Sequence, residues 1–429
     1  MRMMLVPTAS SGGTTPEQVQ VIVLLLVVTL IVALVSRRLR LPYTLVLVLV
    51  GLIIGFLPIL AAVHLDPSVV LFLFLPALLF DGAWNVEMER LRADWLPVLL
   101  LAVIGLGLSL TVVATIIHVG VGLEWLVAIL LGAMVSPTDP VAVISLLRQL
   151  GMSDRLRTII EGESLFNDGV GAAVFAIVLV LLLPTLGLAV STEPSLGTIV
   201  LEALWLLFGG LALGLSIGWI AARLLRQVDE YLIEITVTFS VAYGVYLIGV
   251  ALHTSGLLAV VGAGLVMGSY GRQTGMSART QEAAHDVWEF IAYVANSLLF
   301  LLLGIQIGQA NLLDALPGIA WALVGVVAGR ILLVYTLIPL HDVIAQRSAR
   351  PGRSTHAFFP SPRPLPTHWR PLLILSGLRG ALSIALVLSL PIAIPSRGLL
   401  TGITYGVVLV TLLGQGIGLR VLLPHWPKE

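Results

Sequence analysis

Apolar segments long enough to cross a lipid bilayer follow one another along nearly the whole chain. A transmembrane α-helix needs about 20 predominantly apolar residues. Hydrophobic residues make up 58% of the 429 residues and charged residues only 11%, whereas a soluble domain carries about 25% charged residues. Backbone polar groups in lipid must bond within their own segment, so such segments fold as helices. We therefore predict an all-α integral membrane protein with about thirteen spans, at residues 19–36, 43–59, 68–84, 96–118, 124–147, 158–184, 197–222, 230–252, 254–271, 286–308, 315–339, 371–394 and 398–422.

The arginines and lysines indicate how these spans are oriented, because cytoplasmic loops carry an excess of them. The loops that follow odd-numbered spans are basic, and the intervening loops hold almost no basic residues apart from Arg397. All basic loops then lie on one side, which predicts a multi-pass plasma-membrane protein with its N-terminus outside and its C-terminus in the cytoplasm. The basic residues are Arg37, Arg38, Arg40, Arg90, Arg92, Arg148, Arg155, Arg157, Arg223, Arg226, Arg272, Arg279, Arg347, Arg350, Arg353, Arg363, Arg370 and Lys428.

The rest of the composition excludes several classes of protein. The net charge is zero, which excludes a basic surface for nucleic acid, and the absence of cysteine excludes disulfides and thiolate metal sites. Residues 1–18 lack the basic-then-apolar order of a signal peptide, so we expect an extracytoplasmic segment. Residues 341–370 predict a basic, proline-rich cytoplasmic loop, either a semi-rigid linker or a recruitment motif, and residues 424–429 a short cytoplasmic tail.

An acidic stretch opens the sixth span and puts Glu161, Glu163 and Asp168 in the membrane or at its edge. On a helix, Ser164 and Asp168 are four residues apart and share a face, while Glu163 and Asn167 form a second such pair. A single acidic residue at mid-membrane costs about 2.5–3.5 kcal/mol on insertion scales. Several acids in so short a stretch therefore predict a functional site that supplies them with partners.

Two prolines interrupt the fifth span, on either side of Thr138 and Asp139. Each proline removes a backbone donor and clashes with the preceding turn, so we expect the helix to break here. Asp139 then caps the second half-helix, with Pro140 at its first position. Carbonyls freed at the break, including that of Thr138, are able to coordinate a cation. Two roles stay open for Asp139, which are direct contact with an ion and neutralisation of helix-end dipoles.

The twelfth span carries Arg379 between two glycines, which loosen the helix at a similar depth. A cation suits the exposed carbonyls at the C-terminal end of a half-helix. If residues 19–184 and 230–423 form two six-helix repeats of inverted topology, joined by a linker span within 185–229, both interrupted spans are the fifth of their repeat. Interrupted spans at matching positions of inverted repeats indicate a transporter binding site.

Two further charged residues lie in other spans. Arg330 in the eleventh span is too deep to reach water and needs an acid, for which Glu163 is the expected partner. The role of Glu163 is then structural, since breaking a buried ion pair costs about 3–5 kcal/mol. Asp81 at the inner end of the third span is either an exposed interfacial acid or an accessory group of the site.

Six sequence features recur together in one family of membrane proteins. They are Leu75-Pro-Ala-Leu-Leu-Phe-Asp81, Pro137-Thr-Asp-Pro140, Glu163-Ser-Leu-Phe-Asn-Asp168, Ala292-Tyr-Val-Ala-Asn-Ser-Leu-Leu-Phe-Leu-Leu-Leu-Gly304, Arg330 and Gly377-Leu-Arg-Gly-Ala381. Together they resemble the motifs of the NhaP/NHE-type sodium/proton antiporters. The resemblance covers nearly the whole membrane region, and it implies a homodimer with the NhaA-like fold, in which discontinuous helices cross and a core domain moves against a dimer domain.

The resemblance also implies a role for each residue of the ion site. Asp168 is the carboxylate that binds the cation and the proton. Ser164 and the Thr138 carbonyl complete a Na⁺ site with it, and Asp139 is a further candidate ligand. Asn167 holds the site open and ties it to the broken helices.

Other residues receive roles outside the ligand set by the same resemblance. Glu163 and Arg330 form the family's structural salt bridge, and Arg379 compensates charge at the helix break. Asp81 stands where many relatives have Glu, which leaves its contact with the site open. Members with Asn before the site Asp are typically electroneutral.

The expected activity is antiport without a cofactor, in which Asp168 binds either a proton or Na⁺ (or Li⁺) and exchanges them by alternating access. Potassium is an alternative cation, because one carboxylate, a hydroxyl and carbonyls suit both ions. An intramembrane aspartyl protease would use two aspartates that share a proton, and a passive channel would show no obligatory proton exchange. Ion assays across several cations, peptide cleavage and conductance discriminate among these functions.

Overall fold

The structure is a computed structural model that describes residues 16–39, 42–56, 69–141, 143–144, 147, 151–187, 195–310, 312–348, 363–394 and 396–422. Every regular element among these residues is helical, which confirms the predicted all-α class. The expectations for residues 1–15, for the proline-rich stretch within 349–362 and for the tail at 424–429 lie outside the described residues.

The helices follow one another with short connections, and several contain a π-helical turn. In chain order they are α1 (Pro16–Leu39), α2 (Tyr43–Gly55), α3 (Val70–Phe74 continuing into Leu75–Asn85), α4 (Met88–Ala93), α5 (Trp95–Val121), α6 (Trp125–Val135), α7 (Asp154–Thr185), α8 (Leu196–Leu204 and Trp205–Gly209 continuing into Gly210–Leu225), α9 (Tyr231–Ala251), α10 (Gly256–Val266 continuing through Met267–Gly271 into Arg272–Gly275), α11 (Ala278–Gln309), α12 (Leu316–Ser348), α13 (Arg370–Leu375), α14 (Ala381–Leu388) and α15 (Arg397–Leu422).

Seven of the described helices are long and apolar enough to cross a membrane by themselves, namely α5, α7, α8, α9, α11, α12 and α15. Shorter apolar helices occupy part of α1 and all of α2, α3 and α6. Each span predicted from the sequence overlaps at least one described helix. The total of about thirteen crossings stays a prediction, because the shorter and broken helices do not meet the length criterion alone.

Two helices extend about eight residues or more beyond their predicted ends. Helix α12 continues through residues 341–348, the beginning of the expected cytoplasmic loop. Asp342 has a partner in this segment, because its Oδ1 accepts the Leu365 backbone N–H at 2.9 Å. Helix α11 starts at Ala278 rather than near residue 286, because Ser277 caps its first turn by accepting the Thr280 N–H at 3.3 Å.

Helices α6 and α13–α14 are interrupted at the places that the sequence predicts, and the two interruptions cross. Helix α6 ends at Val135, and α13 and α14 are separated by residues 376–380. The two breaks are joined by a backbone hydrogen bond from Asp139 N to Leu378 O, 2.8 Å long. Unpaired backbone at membrane depth is tolerated where another segment supplies the missing bonds.

Around the crossing, the helices form two tightly packed groups. The first helix group consists of α6, α7, α12, α13 and α14, which are linked by side-chain hydrogen bonds and an ion pair. The second helix group consists of α3, α8 and α10, whose backbones approach at glycines. A Cβ at Gly214 would collide with the Ala259 carbonyl, and one at Gly264 would lie 2.7 Å from the Ala83 Cβ. Small residues of this kind are typical of close helix packing in membranes.

Candidate ion-binding site at the crossed helix breaks

Asp139 lies at the centre of the crossing and serves both broken helices. Its Oδ1 accepts the N–H of Val141, at 3.1 Å, in the half-helix that follows it. Its carboxylate also accepts the N–H of Ala381, which begins α14. A Cβ at Gly380 would overlap the Asp139 carboxylate, so glycine is required there. The structure therefore gives Asp139 the helix-capping role, and it leaves the carboxylate partly exposed.

Two polar side chains at the middle of α7 form hydrogen bonds with Thr138. The Ser164 hydroxyl donates to the Thr138 carbonyl at 2.5 Å. The Asn167 amide donates from Nδ2 to Thr138 Oγ1 at 2.7 Å, and its Oδ1 accepts the Thr138 N–H at 3.4 Å. Thr138, Ser164 and Asn167 are all buried. Asn167 thus gives the Thr138 N–H an acceptor at the point where the prolines interrupt the helix.

Asp168 differs from its neighbours because its carboxylate is not engaged. It is partly exposed, it feels the negative charge of Asp139, and it has no hydrogen-bond partner among the residues that the structure describes. The next turn is crowded, since a Cβ at Gly169 would collide with Leu258 and one at Gly171 with Pro137. An acid that lies beside a broken helix, with no donor among the described residues, is available to a cation or a proton.

Glu163 and Arg330 form a two-pronged ion pair between α7 and α12. Both guanidinium Nη atoms reach the carboxylate, with Nη2 to Oε2 at 3.0 Å. The side chains are 3% and 5% exposed. Arg330 also donates from Nε to Leu373 O at 2.8 Å and from Nη2 to Ser376 Oγ at 3.2 Å. The pair therefore links α7 and α12 to the end of α13.

Arg379 bonds to carbonyls rather than to an acid. Its Nε donates to Val135 O at the end of α6, and its Nη1 donates to Gly377 O, both at 2.6 Å. The side chain is buried. These carbonyls lie at the C-terminal ends of the half-helices α6 and α13, where a positive charge is favourable. Arg379 thus links the end of α6 to the segment that follows α13.

Asp81 lies on α3, next to the first helix group. Asn85, one turn further along α3, donates to its Oδ1 at 2.9 Å. A Cβ on the following residue, Gly82, would be 3.7 Å from Leu165 of α7, so α3 faces α7 here. Participation of Asp81 in an ion site stays a prediction.

The structure adds polar residues that the sequence analysis did not single out. Ser376 bonds to Arg330, and Thr411 Oγ1 accepts the Arg379 backbone N–H at 3.4 Å. Ser109 and Ser136 line a small cavity beside the Glu163–Arg330 pair, and their buried hydroxyls have no partner among the described residues. Their signal in the sequence is weak, because single serines in apolar spans commonly bond within their own helix.

No group of three or more His, Cys, Asp or Glu residues that suits a resident metal occurs in the described part of the chain. The donors at the crossing are carboxylate, hydroxyl and carbonyl oxygens, of the kind that hard cations prefer.

Comparisons with known proteins agree with this geometry. Residues 23–425 match the family model described as "Sodium/hydrogen exchanger, transmembrane". The low-affinity Na⁺/H⁺ antiporter NhaS1 of Synechocystis sp. is 36% identical over 385 residues, which cover 90% of this chain and 69% of that protein. The Na⁺/H⁺ antiporter NhaH of Halobacillus dabanensis is 33% identical over 398 residues, covering 91% of this chain and 93% of that protein.

A solved structure shows the same fold at lower sequence identity. The sodium proton antiporter MjNhaP1 from Methanocaldococcus jannaschii superimposes with a TM-score of 0.72 at 19% identity, covering 94% of this chain and 97% of that one. These matches confirm the resemblance that the motifs indicated. They also confirm that the protein is a multi-pass membrane transporter and not an enzyme. The chain belongs to the transmembrane sodium/hydrogen exchanger family.

Proposed function

We propose that this protein exchanges Na⁺ for H⁺ across a membrane, with Asp168 as the group for which the two ions compete. Relatives that are named Na⁺/H⁺ antiporters support the exchange. The role of Asp168 is supported by one observation. Its carboxylate is partly exposed and has no hydrogen-bond partner among the described residues, whereas Glu163, Arg330 and Arg379 nearby already have partners.

The other ligands in this proposal are oxygens that stay in place when the ion leaves. Ser164 donates its proton to the Thr138 carbonyl, so its lone pairs are free to face a cation beside Asp168. The Thr138 carbonyl keeps a second lone pair for the same purpose. Asp139 adds negative charge, although its carboxylate also caps two helices.

Charge provides the coupling between the two ions. With Asp168 ionised, the described core of the site holds three acids, including Asp139 and Glu163, and two arginines. Either a proton or one monovalent cation on Asp168 neutralises the remaining charge. The empty, charged site then resists moving across the membrane, because an uncompensated charge has a high free energy in a medium of low dielectric constant. One-for-one, electroneutral exchange by alternating access follows.

The molecular setting of the transporter is part of the same proposal. Alternate basic loops support a plasma-membrane protein with an extracytoplasmic N-terminus and a cytoplasmic C-terminus. Two inverted repeats, at residues 19–184 and 230–423 with a linker span between them, and a homodimeric assembly are proposed from the resemblance to the family.

The test uses purified protein in liposomes with a trapped pH-sensitive dye. Adding Na⁺ or Li⁺ outside should move protons, and a larger response to K⁺ would instead favour K⁺/H⁺ exchange. Asp168→Asn should abolish the response, because an amide cannot exchange a proton for a cation. The control is Asp229→Asn, a neutralised acid in the exposed loop between α8 and α9, which should respond normally. Na⁺-driven proton movement in Asp168→Asn would refute the assignment.

A further inference from the structure

A small cavity lies between α5 and the broken turn, by which we mean residues 136–140, where α6 has ended. Ser109 of α5 and Ser136 of the broken turn both line this cavity, and they are 3% and 2% exposed. Neither hydroxyl has a hydrogen-bond partner among the residues that the structure describes. Because a buried polar group without a hydrogen bond raises the free energy of the folded state, two such hydroxyls on one cavity indicate a ligand between them.

Both serines are held in place by the surrounding backbone. The Ser136 N–H bonds to the Gly132 carbonyl at 3.0 Å, which fixes the residue at the end of α6. Ser109 is backed by α12, since a Cβ at Gly329 would lie only 2.9 Å from Ser109 Oγ. The two hydroxyls are therefore presented to the cavity from different helices, and a ligand that bonds to both would link these helices.

The size and charge of the cavity decide what kind of ligand it suits. It offers about 10 Å³ to a water-sized sphere, which is about the room that one water molecule needs. Two guanidinium groups, those of Arg330 and Arg379, border the cavity, while Glu163 is the one acid among its lining residues. This excess of positive charge disfavours a cation, and common anions need more room than a water molecule.

We propose that this cavity binds a single water molecule, which Ser109 and Ser136 hold between α5 and the broken turn. Water both donates and accepts hydrogen bonds, so one molecule satisfies two hydroxyls whichever way each of them points. Further polar partners are at hand, because Thr138 and Asn167 line the same cavity. The bound water thus gives α5 a hydrogen-bonded connection to the turn that carries the Thr138 carbonyl.

A double-mutant cycle tests whether the two serines share a ligand. Ser109→Ala, Ser136→Ala and the double variant are heated in detergent and Na⁺-free choline buffer, and the folded fraction is measured by fluorescence-detected size-exclusion chromatography. Each single change should lower the melting temperature by about 1–3 °C, because the water loses one of its partners. The double variant should lose clearly less than the sum, since the first change already releases the shared water. Additive losses, or no loss in either single variant, would overturn the proposal.

The matched control is Ser383→Ala. Ser383 is 1% exposed and its hydroxyl also has no partner among the described residues, but it does not line this cavity. Combined with Ser136→Ala, it should give additive changes in melting temperature, and an equal coupling there would overturn the shared water. A coupling between Ser109 and Ser136 that appears only after Na⁺ is added would also overturn it, because the ligand would then be the cation.

A direct test needs no variant. A cryo-EM map of the unmodified protein in Na⁺-free buffer, at a resolution that shows ordered water, should contain a peak within about 3.2 Å of both Ser109 Oγ and Ser136 Oγ. A map that resolves other buried waters but shows no peak between these two atoms would overturn the proposal.

Discussion

Replacing Glu163 by Ala leaves two guanidinium groups close together in a buried part of the protein. Arg330 Nε and Arg379 Nη1 each lie 3.2 Å from the position that a Cβ at Gly377 would take. In the intact protein the Glu163 carboxylate bonds to both Nη atoms of Arg330. Without it, Arg330 keeps its bonds to the carbonyl of Leu373 and the hydroxyl of Ser376, which carry no compensating charge.

The expected loss of folding free energy is about 3–5 kcal/mol, the cost of removing one partner from a buried pair. The exposed fractions of 3% and 5% for Glu163 and Arg330 place the pair in that class rather than among surface pairs, which contribute about 0–1 kcal/mol. Glu163→Gln should lose less, because the amide keeps the shape and one acceptor. The double variant Glu163→Ala/Arg330→Ala should lose less than the sum of the two single changes, since neither charge is then left alone.

The assay heats detergent-solubilised protein and measures the folded fraction by fluorescence-detected size-exclusion chromatography. The dye assay then gives the half-saturating Na⁺ concentration of the folded protein that remains. Glu161→Ala is the matched control, since it removes a partly exposed acid two residues earlier on the same helix. Normal yield and thermal stability of Glu163→Ala, together with weakened Na⁺ affinity, would refute the structural role and make Glu163 an ion ligand.

Three other predictions concern the site. Ser164→Ala should raise the half-saturating Na⁺ concentration about tenfold with little loss of yield, because it deletes a ligand oxygen and one hydrogen bond to Thr138 worth about 1 kcal/mol; unchanged affinity in the dye assay would contradict this. Arg379→Ala should lower thermal stability, since each buried carbonyl left without a donor, at Val135 and Gly377, costs about 1–3 kcal/mol; an unchanged melting profile would contradict it. Lowering the pH should raise the half-saturating Na⁺ concentration, up to about tenfold per unit once the proton dominates the site; a pH-independent value would exclude competition.

The helices were largely predictable because membrane spans are encoded in local composition. Twenty apolar residues indicate a helix whatever surrounds them. The continuation of α12 past residue 340 was not predictable in this way. His341 and Asp342 look like the start of a loop, and only the folded protein brings the Leu365 backbone N–H to Asp342. Whether polar residues continue a helix or begin a loop can be decided only when the distant residues that bond to them are known.

The same distinction applies to the candidate site. Prolines around Thr138 and glycines around Arg379 predicted the two breaks from local backbone chemistry. The crossing itself required contacts between segments more than two hundred residues apart, such as the bond from Arg379 to Val135 O. The sequence left two roles open for Asp139, and the structure shows the capping role at two helices while direct ion contact stays a proposal.

The charged groups at the crossing can be divided by what would happen to each if an ion left. Arg379 is bonded to backbone carbonyls, and Glu163 is bonded to Arg330, so their charges are compensated whether or not a cation is present. Asp139 is compensated in part by two helix N-termini. Asp168 has no such compensation among the described residues. On the proposed mechanism it is therefore the group whose charge must be cancelled before the helix group that carries it can move, and a single proton or a single Na⁺ is sufficient to do so. Because Glu163 and Arg379 keep their own partners throughout, the free energy of moving the site across the membrane depends on the charge of Asp168 alone. If those partners were missing, it would depend on several charges at once, and a proton and a Na⁺ would no longer be interchangeable.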